Sequence, residues 1–479
     1  MTKINSKDLE KKIDDRLQKP FFTDMLILAA ATGTDHFKYK KKIKELAIFI
    51  REKLQERNLI KKLKYRPKEF WNFKGKKNIY NIDGGQLSLS VTGAAALGLR
   101  VGVYKVRPGE KSDQREDSDE STTLTANLID KATSHYEQED DTFMLEYNKM
   151  LTGTRMIMET AEVVKQIAAK GKWKAKPTAN DIIYLHGPIV YEATMYHLAT
   201  EERKNSRDRG VENEMPPYKE EFCKKILTHQ NNKSLKKEDR YFIPLYVEIT
   251  NQIKKSKIPV YGVVERSGGL SSPGPVTRAV LGELYHIKSQ PNARPGYSDD
   301  PRLAHLTNSW KIRKAGDRTV HDQLFKEFTQ RPISDAVLFD LILDEGEYIQ
   351  PIQIVKNPEQ KWPRSCMPLH KIMPEPYITF LKVSELKRPI KIETLNILKS
   401  YDDDINFTYH STKLLPEYCF PLGLNIVDKM TKVPSWMRNS MRNEYQRLIL
   451  KKTIETGNKE YVSMALKSLF SGRKGWNRP

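Results

Sequence analysis

Acidic residues at the ends of short apolar segments are the side chains of this sequence best suited to chemistry. The clearest case is Asp83, which closes a predicted strand that begins at Ile79 and precedes two glycines that let a substrate approach the backbone closely. A carboxylate displayed in this way can hold Mg²⁺ or Mn²⁺, which prefer oxygen ligands and assist phosphodiester hydrolysis. Asp-Gly-Gly is also typical of a simple hairpin turn, so the segment alone leaves both interpretations open.

Other kinds of active site are disfavoured by missing motifs. The sequence has no G-x-S-x-G nucleophile elbow and no GxxxxGK[ST] phosphate-binding loop, so we do not expect the chain to hydrolyse nucleotides itself. Its three cysteines, Cys223, Cys366 and Cys419, are widely spaced and form no CxxC pair. This pattern argues against a disulfide framework and a structural zinc site, and it fits a reducing cytoplasm.

The apolar pattern predicts a mixed α/β domain with a central sheet that would position these acids. From Asn78 onward, β-branched and alternating segments predict strands, the first three of which would form an antiparallel meander. Residues 108–121 are polar and of mixed charge, which predicts an exposed loop or hairpin tip. The segments predicted to form strands are Ile79–Gln86, Leu87–Val91, Leu97–Val106, Asp181–Val190, Ile258–Glu265, Ala336–Leu343, Ile352–Val355, Tyr377–Val383 and Ile390–Glu393. The first of these ends in an acidic turn at Asp83, and the fourth runs into a Gly-Pro turn after His186.

Longer segments with apolar residues at helical spacing predict helices, many of them near the two ends of the chain. Pro244 lies inside one of these segments and predicts a kink or a restart of that helix. The predicted helices are Leu26–Ala30, Ile43–Leu54, Phe143–Ala169, Lys236–Lys255, Leu422–Thr431, Ser435–Lys452 and Tyr461–Ser468.

Positive charge is in excess, with 82 lysines and arginines against 61 aspartates and glutamates, a net charge of +21. Such an excess suits nucleic acid, because each phosphate that a protein neutralises releases counterions. A lysine-rich proteome also yields basic enzymes that never touch DNA, so charge alone does not decide. Lysines interleaved with aromatic residues before Asn78 can clamp a backbone, and Lys74, Lys76 and Lys77 are the DNA-binding candidates there. The same aromatic residues could instead anchor this arm to the body of the protein.

A membrane protein is not expected. The longest apolar stretches, such as Met25–Thr32 and Ala94–Val103, fall well short of the roughly 20 residues needed to cross a bilayer. The N-terminus lacks the apolar core of a signal peptide. Together with the cysteine pattern, these features predict a cytoplasmic protein.

A series of segments along the chain occurs in an order and at spacings that together form a recognisable pattern. The segments are Asp83–Gly85, Arg155–Glu159, Leu185–Ile189, Tyr261–Ser267, Asp335–Glu347, Tyr377–Val383, Pro389–Glu393 and Phe420–Asp428. From about Asn78 to Pro434 this series resembles the NurA family of prokaryotic DNA-end-processing nucleases, which work with a hexameric HerA-type ATPase. The resemblance implies an RNase H-like α/β fold, close to the nuclease domain of Argonautes, and DNA cleavage that depends on Mn²⁺ or Mg²⁺.

The resemblance also implies a set of metal ligands. Asp83 matches the aspartate that the family carries on its first strand. Glu159 is our choice for the glutamate of the long helix, with Glu162 as the alternative. The two glutamates lie three residues apart on one helix face, so the sequence does not separate them.

Two positions depart from the family pattern. The family usually has Leu-Asp-Gly at the third ligand, whereas this chain has Leu185-His186-Gly187. The family then tends to have Tyr-Pro followed by His, whereas here Phe420-Pro421 precedes Asp428. His186 and Asp428 look like an exchange of ligand types between two positions that converge in the fold, which would retain one histidine and three carboxylates. The alternative is a degraded site. Imidazole binds Mn²⁺ but suits Mg²⁺ less well.

The resemblance and the charge together predict three regions: a basic helical N-terminal arm over residues 1–77, a NurA-like nuclease domain over 78–434 and a helical C-terminal extension over 435–479. The resemblance also makes Arg266 a candidate for a phosphate contact near the site, although a surface charge pair with Glu265 explains it equally well. The predicted function is a Mn²⁺- or Mg²⁺-dependent DNA nuclease that acts as a homodimer with a HerA-type ATPase, in repair or anti-phage defence. The competing hypothesis is a non-catalytic subunit that keeps the fold and clamps DNA for the motor.

Overall fold

The chain divides into two compact units. One comprises Met1–Lys61 with Gly268–Asp344, and the other comprises Lys62–Ser267 with Glu345–Pro479. The computed structural model describes residues 44, 47–48, 50–52, 54–66, 78–91, 94–124, 141–174, 176–190, 218–227, 240–265, 334–354, 367–415, 418–460 and 462–463.

The secondary structure is of mixed type. The strands are β1 (Ile60–Lys62), β2 (Ile79–Val91), β3 (Ala94–Val106), β4 (Glu116–Leu124), β5 (Ile182–His186), β6 (Val260–Val264), β7 (Glu347–Ile349), β8 (Ile352–Gln353), β9 (Tyr377–Leu381) and β10 (Ile390–Thr394). The helices are α1 (Ser112–Arg115), α2 (Asp141–Ile167), α3 (Glu220–Leu227), α4 (Phe242–Lys255), α5 (Asp335–Ile342), α6 (Met367–Ile372), α7 (Tyr401–Lys413), α8 (Leu422–Thr431) and α9 (Ser435–Glu455). None of the helices in the described residues is both long and apolar enough to cross a bilayer.

The larger unit is built on one mixed sheet with the strand order β7-β9-β10-β6-β5-β2-β3-β4, and β8 pairs with β9. Strands β2, β3 and β4 form an antiparallel meander. The predicted antiparallel pairing with Leu97–Val106 is confirmed, but the predicted strands Ile79–Gln86 and Leu87–Val91 are parts of the single strand β2. β5 runs parallel to both β2 and β6, whereas β10 is antiparallel to β6 and β9. The carboxyl end of β5 therefore lies between β2 and β6, near the middle of the sheet.

Two apolar cores cover the two faces of this sheet. On one face, α2 and α4 pack over strand residues that include Ile82, Ile183 and Leu185. On the other face, residues of α7 and α8 pack over Tyr184 and Val263, among others. Because successive side chains of a strand point to opposite faces, one strand can contribute side chains to both cores, as β5 does. The architecture is thus an α/β sheet with flanking helices, as the apolar pattern predicts.

Three predictions of local structure are wrong. β2 continues through Gly84 and Gly85 to Val91, because β3 pairs with it along its whole length. The polar region predicted as a loop instead contains α1 and then strand β4, whose partner is β3. The predicted strand Ala336–Leu343 is helix α5; short apolar runs fit either period, and here Ala336, Phe339 and Ile342 are buried at helical spacing.

Some helix predictions also needed tertiary context. α4 begins at Phe242, so Pro244 lies in its first turn, where proline causes no kink. α7 and β7 were not predicted.

In the smaller unit, the described residues from 44 to 56 are helical, and Arg51 donates a hydrogen bond to Asp344 (2.8 Å). The predicted helix Leu26–Ala30 and most of Tyr461–Ser468 lie outside the described residues.

Candidate metal centre

Asp83 and His186 meet because their strands are adjacent and parallel. Ile82 of β2 pairs with Leu185 of β5, so the next residue of each strand lies at the same level. Nδ1 of His186 lies 3.0 Å from Oδ2 of Asp83. The Asp83 side chain is buried, and its Oδ1 accepts a hydrogen bond from the Gly84 N–H at 2.8 Å. Asp83 is therefore held within a continuous strand, not at a hairpin turn.

Asp428 completes a three-residue cluster from helix α8. One ligand atom from each of Asp83, His186 and Asp428 lies within 4.8 Å of the other two. The three residues come from two strands and a helix that are far apart in the sequence. Asp428 also forms an ion pair with Lys432, one helical turn away, whose side chain is largely exposed. The predicted convergence of His186 and Asp428 is therefore present.

Three glycines allow α8 to approach the sheet closely enough to bring Asp428 to Asp83. A Cβ atom on Gly85 would lie 2.0 Å from the carbonyl oxygen of Thr431 in α8. A Cβ on Gly102 of β3 would lie 2.8 Å from the Thr431 side chain. On the helix side, a Cβ on Gly423 would lie 2.2 Å from the amide nitrogen of Asn81. Each distance is shorter than a real Cβ contact, so a larger residue would force the neighbour to move, and at Gly85 that neighbour is the backbone of α8.

Glu159 reaches the same region from α2, on the other face of the sheet. A Cβ on Gly84 would lie 2.5 Å from its Oε1, so the missing side chain leaves room for this carboxylate beside Asp83. Arg155, one turn earlier, lies 3.3 Å from the same oxygen. Burial raises the pKa of Glu159 to about 8; Arg155 opposes this shift and the negative charge of Asp83 adds to it. Glu159 is therefore largely protonated at neutral pH when no cation is bound.

Glu162 is also buried but its carboxylate is engaged elsewhere. Its Oε1 accepts a hydrogen bond from Gln166 at 2.7 Å, and its Oε2 lies 3.1 Å from Lys165 Nζ. These partners lie further along α2, away from Gly84. The structure thus separates two glutamates that the sequence left equivalent: the Glu159 carboxylate lies beside Gly84, although it is not part of the three-residue cluster.

His186 is packed by an aromatic ring and surrounded by negative charge. The Phe420 ring lies 4.9 Å from the imidazole, centroid to centroid. Burial lowers the pKa of His186, but the nearby carboxylates outweigh burial and hold the pKa above its usual value. Phe420 therefore offers the imidazole an apolar contact without a hydroxyl group.

The donor atoms of this site fit a divalent cation. Nδ1 of His186 and Oε1 of Glu159 are buried, and in the described part of the chain each has a charged neighbour, Asp83 and Arg155 respectively, but no aligned hydrogen bond. Carboxylate oxygens with one imidazole nitrogen form a set that Mn²⁺ accepts. Asp83, His186 and Asp428, with Glu159 beside them, can therefore hold such an ion.

Similar proteins were found among solved structures but not by sequence. Neither a protein-family model nor a curated protein matches the chain by sequence. Among solved structures, the NurA nuclease from Sulfolobus solfataricus is similar at a TM-score of 0.44 and 9% identity, covering 88% of this chain and 98% of that chain. A NurA structure with manganese is similar at a TM-score of 0.36 and 11% identity, covering 86% and 97%. At these values the similarity assigns no function, and the proposed function rests on the side chains of this chain.

The four predicted DNA-binding residues, Lys74, Lys76, Lys77 and Arg266, lie outside the described residues. Two positively charged residues at the site, Arg155 and Lys432, were not predicted from the sequence to contact it. Arg155 precedes Glu159 by four residues and Lys432 follows Asp428 by four. Opposite charges at this spacing on a predicted helix are the signal that would have found both pairs.

Proposed function

We propose that this protein is a divalent-metal-dependent DNA nuclease that hydrolyses phosphodiester bonds. The observation that carries the proposal is the convergence of Asp83, His186 and Asp428 within 4.8 Å, with buried Glu159 beside them. A cluster of this composition lacks a side-chain nucleophile, which suits hydrolysis by water. The net charge of +21 suits a polyanionic substrate such as DNA.

We also propose that the sheet is RNase H-like. Support comes from the order β4-β3-β2-β5-β6, in which three antiparallel strands are followed by two that run parallel to β2. The residues proposed as ligands lie on the middle of β2, at the carboxyl end of β5 and on helices packed against β2. This is where an RNase H-like nuclease would hold its cation.

The chain's own residues would prepare the site for catalysis. A bound Mn²⁺ or Mg²⁺ supplies Lewis acidity to the phosphate and makes water a better nucleophile. Asp83 and Asp428 provide negative charge for the cation, and His186 contributes a nitrogen ligand only in its neutral form. Phe420 shields one side of the imidazole from water. Arg155 holds the Glu159 carboxylate in place beside Gly84.

The biological setting follows from the family resemblance and remains part of the proposal. A protein without a phosphate-binding loop cannot translocate along DNA by itself. We therefore propose that it acts on DNA ends as a cytoplasmic homodimer with a hexameric HerA-type ATPase, in repair or anti-phage defence. The basic arm over residues 1–77 and the extension over 435–479 are the proposed docking regions.

One observation favours the alternative, a catalytically degraded subunit that clamps DNA. One of the carboxylates at the site already faces a positively charged side chain of the protein, because Lys432 pairs with Asp428. That pair reduces the negative charge available to a metal ion. A clamp would keep the fold and the positive charge while losing hydrolysis.

A single comparison separates these functions. Linear DNA is incubated with Mn²⁺ and either the parent protein or Asp83→Ala, and product is followed over time. A nuclease should degrade DNA, and Asp83→Ala should lose more than about a hundredfold of the rate. Binding without degradation by the parent would favour the clamp. Degradation that persists unchanged in Asp83→Ala would remove Asp83 from the proposed site.

A further inference from the structure

Glu393 is a buried carboxylate two strands away from the metal centre, on β10. It lies opposite Gly262 of β6, which in turn lies opposite Leu185 of β5. Glu393 and Leu185 therefore occupy one row across the sheet, and His186 is the next residue of β5.

The chain after His186 folds back over β6 and passes close to Glu393. Gly187 has a φ of +115°, which favours glycine, and its N–H donates to the Val263 carbonyl at 2.8 Å. A Cβ on Gly262 would lie 2.6 Å from the Gly187 carbonyl oxygen, so β6 also needs glycine where the turn crosses it. Tyr246 of α4 donates its hydroxyl to the Ile189 carbonyl. The turn is thus packed against the sheet.

Glu393 supplies the acceptors for the amide groups of this turn. Its Oε2 accepts hydrogen bonds from the N–H of Ile189 at 2.9 Å and of Val190 at 3.3 Å. Its Oε1 lies 2.6 Å from Nζ of Lys391, two residues earlier on the same strand. A carboxylate that accepts backbone N–H groups and faces a lysine makes stronger hydrogen bonds than a neutral group.

We propose that Glu393, supported by Lys391, is a positioning residue for the metal centre. Its carboxylate holds the turn over residues 187–190 and thereby fixes the imidazole of His186 beside Asp83. This inference rests on the proposed role of His186 as a metal ligand. A binding site of this kind needs its donors within about 0.5 Å of their working positions, and residues behind the ligands commonly set that precision.

The test compares Glu393→Gln with a matched change at the opposite end of β5. Asp181 is equally buried, and its carboxylate accepts hydrogen bonds from Thr178 N–H at 2.6 Å and from the Asn78 side chain at 2.8 Å. Asp181→Asn therefore makes the same chemical change without touching the turn. Two quantities are measured: the imidazole NMR signals of His186 without metal, including their cross-relaxation with Phe420, and the Mn²⁺ dissociation constant by electron paramagnetic resonance.

Glu393→Gln should shift the His186 signals, weaken its contact with Phe420 and raise the Mn²⁺ dissociation constant about tenfold. Asp181→Asn should leave the His186 signals in place and change the dissociation constant less than about twofold. If Glu393→Gln does not fold, Lys391→Met removes the ion pair instead and should move the same signals, and Lys391→Arg should restore them.

Unchanged His186 signals in a folded Glu393→Gln or Lys391→Met protein would overturn the inference. A shift of equal size in Asp181→Asn would overturn it too, since the effect would then reflect general loosening of β5. Failure of the proposed function looks different. In that case the parent protein binds no Mn²⁺, while Glu393→Gln still displaces His186 in the metal-free protein and the positioning role stands.

Discussion

Mn²⁺ binding should become tighter with rising pH, and Glu159 should be a main reason. Burial raises the pKa of this carboxyl to about 8, so a proton occupies it at neutral pH. A metal ligand must be deprotonated, and the cation therefore competes with that proton. His186 adds to the effect in the same direction, because its pKa is also raised and only the neutral ring can bind.

The expected size follows from the pKa of about 8. With that value, Glu159 is a carboxylate in about one molecule in eleven at pH 7 and in about three in four at pH 8.5. The Mn²⁺ dissociation constant should therefore fall about eightfold across this interval from Glu159 alone. Binding at pH 7 should also release protons into the buffer.

The assay uses a matched pair of variants on one helix. Mn²⁺ affinity is measured by electron paramagnetic resonance at pH 7 and 8.5, and proton release by calorimetry in two buffers of different ionisation enthalpy. Glu159→Gln should bind more weakly and lose most of the eightfold gain. Glu162→Gln should behave as the parent, because its carboxylate contacts Gln166 and Lys165 instead of the cluster.

Equal pH dependence in the parent and in Glu159→Gln would refute this reasoning. A loss of the pH dependence in Glu162→Gln alone would show that the other glutamate is the ligand. Affinity that is flat from pH 7 to 8.5 in the parent would mean that neither raised pKa is coupled to metal binding.

Three further predictions concern packing, metal choice and DNA. Gly85→Ala should lower the free energy of unfolding, measured by urea denaturation, by about 1–3 kcal/mol and should weaken Mn²⁺ binding. The reason is that a Cβ 2.0 Å from the Thr431 carbonyl oxygen must displace the helix that carries Asp428, and unchanged Mn²⁺ affinity would contradict this. DNA cleavage should be faster with Mn²⁺ than with Mg²⁺, and His186→Asp should narrow that difference; equal rates in the parent would argue against His186 as a ligand. The affinity for two unrelated DNA duplexes should be similar, and it should fall steeply as the salt concentration rises. An affinity that does not change with salt would exclude phosphate contacts as the main source of DNA binding.

The sequence by itself determined much of the local structure. Helix α8 has the bounds Leu422–Thr431 that its apolar spacing predicts, and β5 ends in the Gly-Pro turn expected after His186. These segments are consistent at the local level, because the apolar periodicity and the turn residues favour the same conformation. The sequence also provided the chemical types of the site, a histidine and several carboxylates at the ends of secondary-structure elements.

Other local features needed the tertiary structure. The glycines after Asp83 favour a turn when the sequence is considered alone, yet β3 pairs with them and the strand continues. Their function is to let neighbours approach, since Glu159 fills the space beside Gly84 and Thr431 lies against Gly85. The polar strand β4 could not be predicted from hydrophobic alternation, because its place in the sheet comes from its pairing with β3.

The site itself was decided by contacts between residues that are distant in the sequence. Parallel pairing of β2 with β5 sets Asp83 against His186, and close packing of α8 on glycines brings Asp428 to them. The choice of Glu159 over Glu162 depends on which of two buried carboxylates faces Gly84. Helical spacing gives both residues nearly the same direction. Only the packing of α2 against the sheet makes their surroundings different, because burial and nearby charge depend on neighbours that the spacing does not specify.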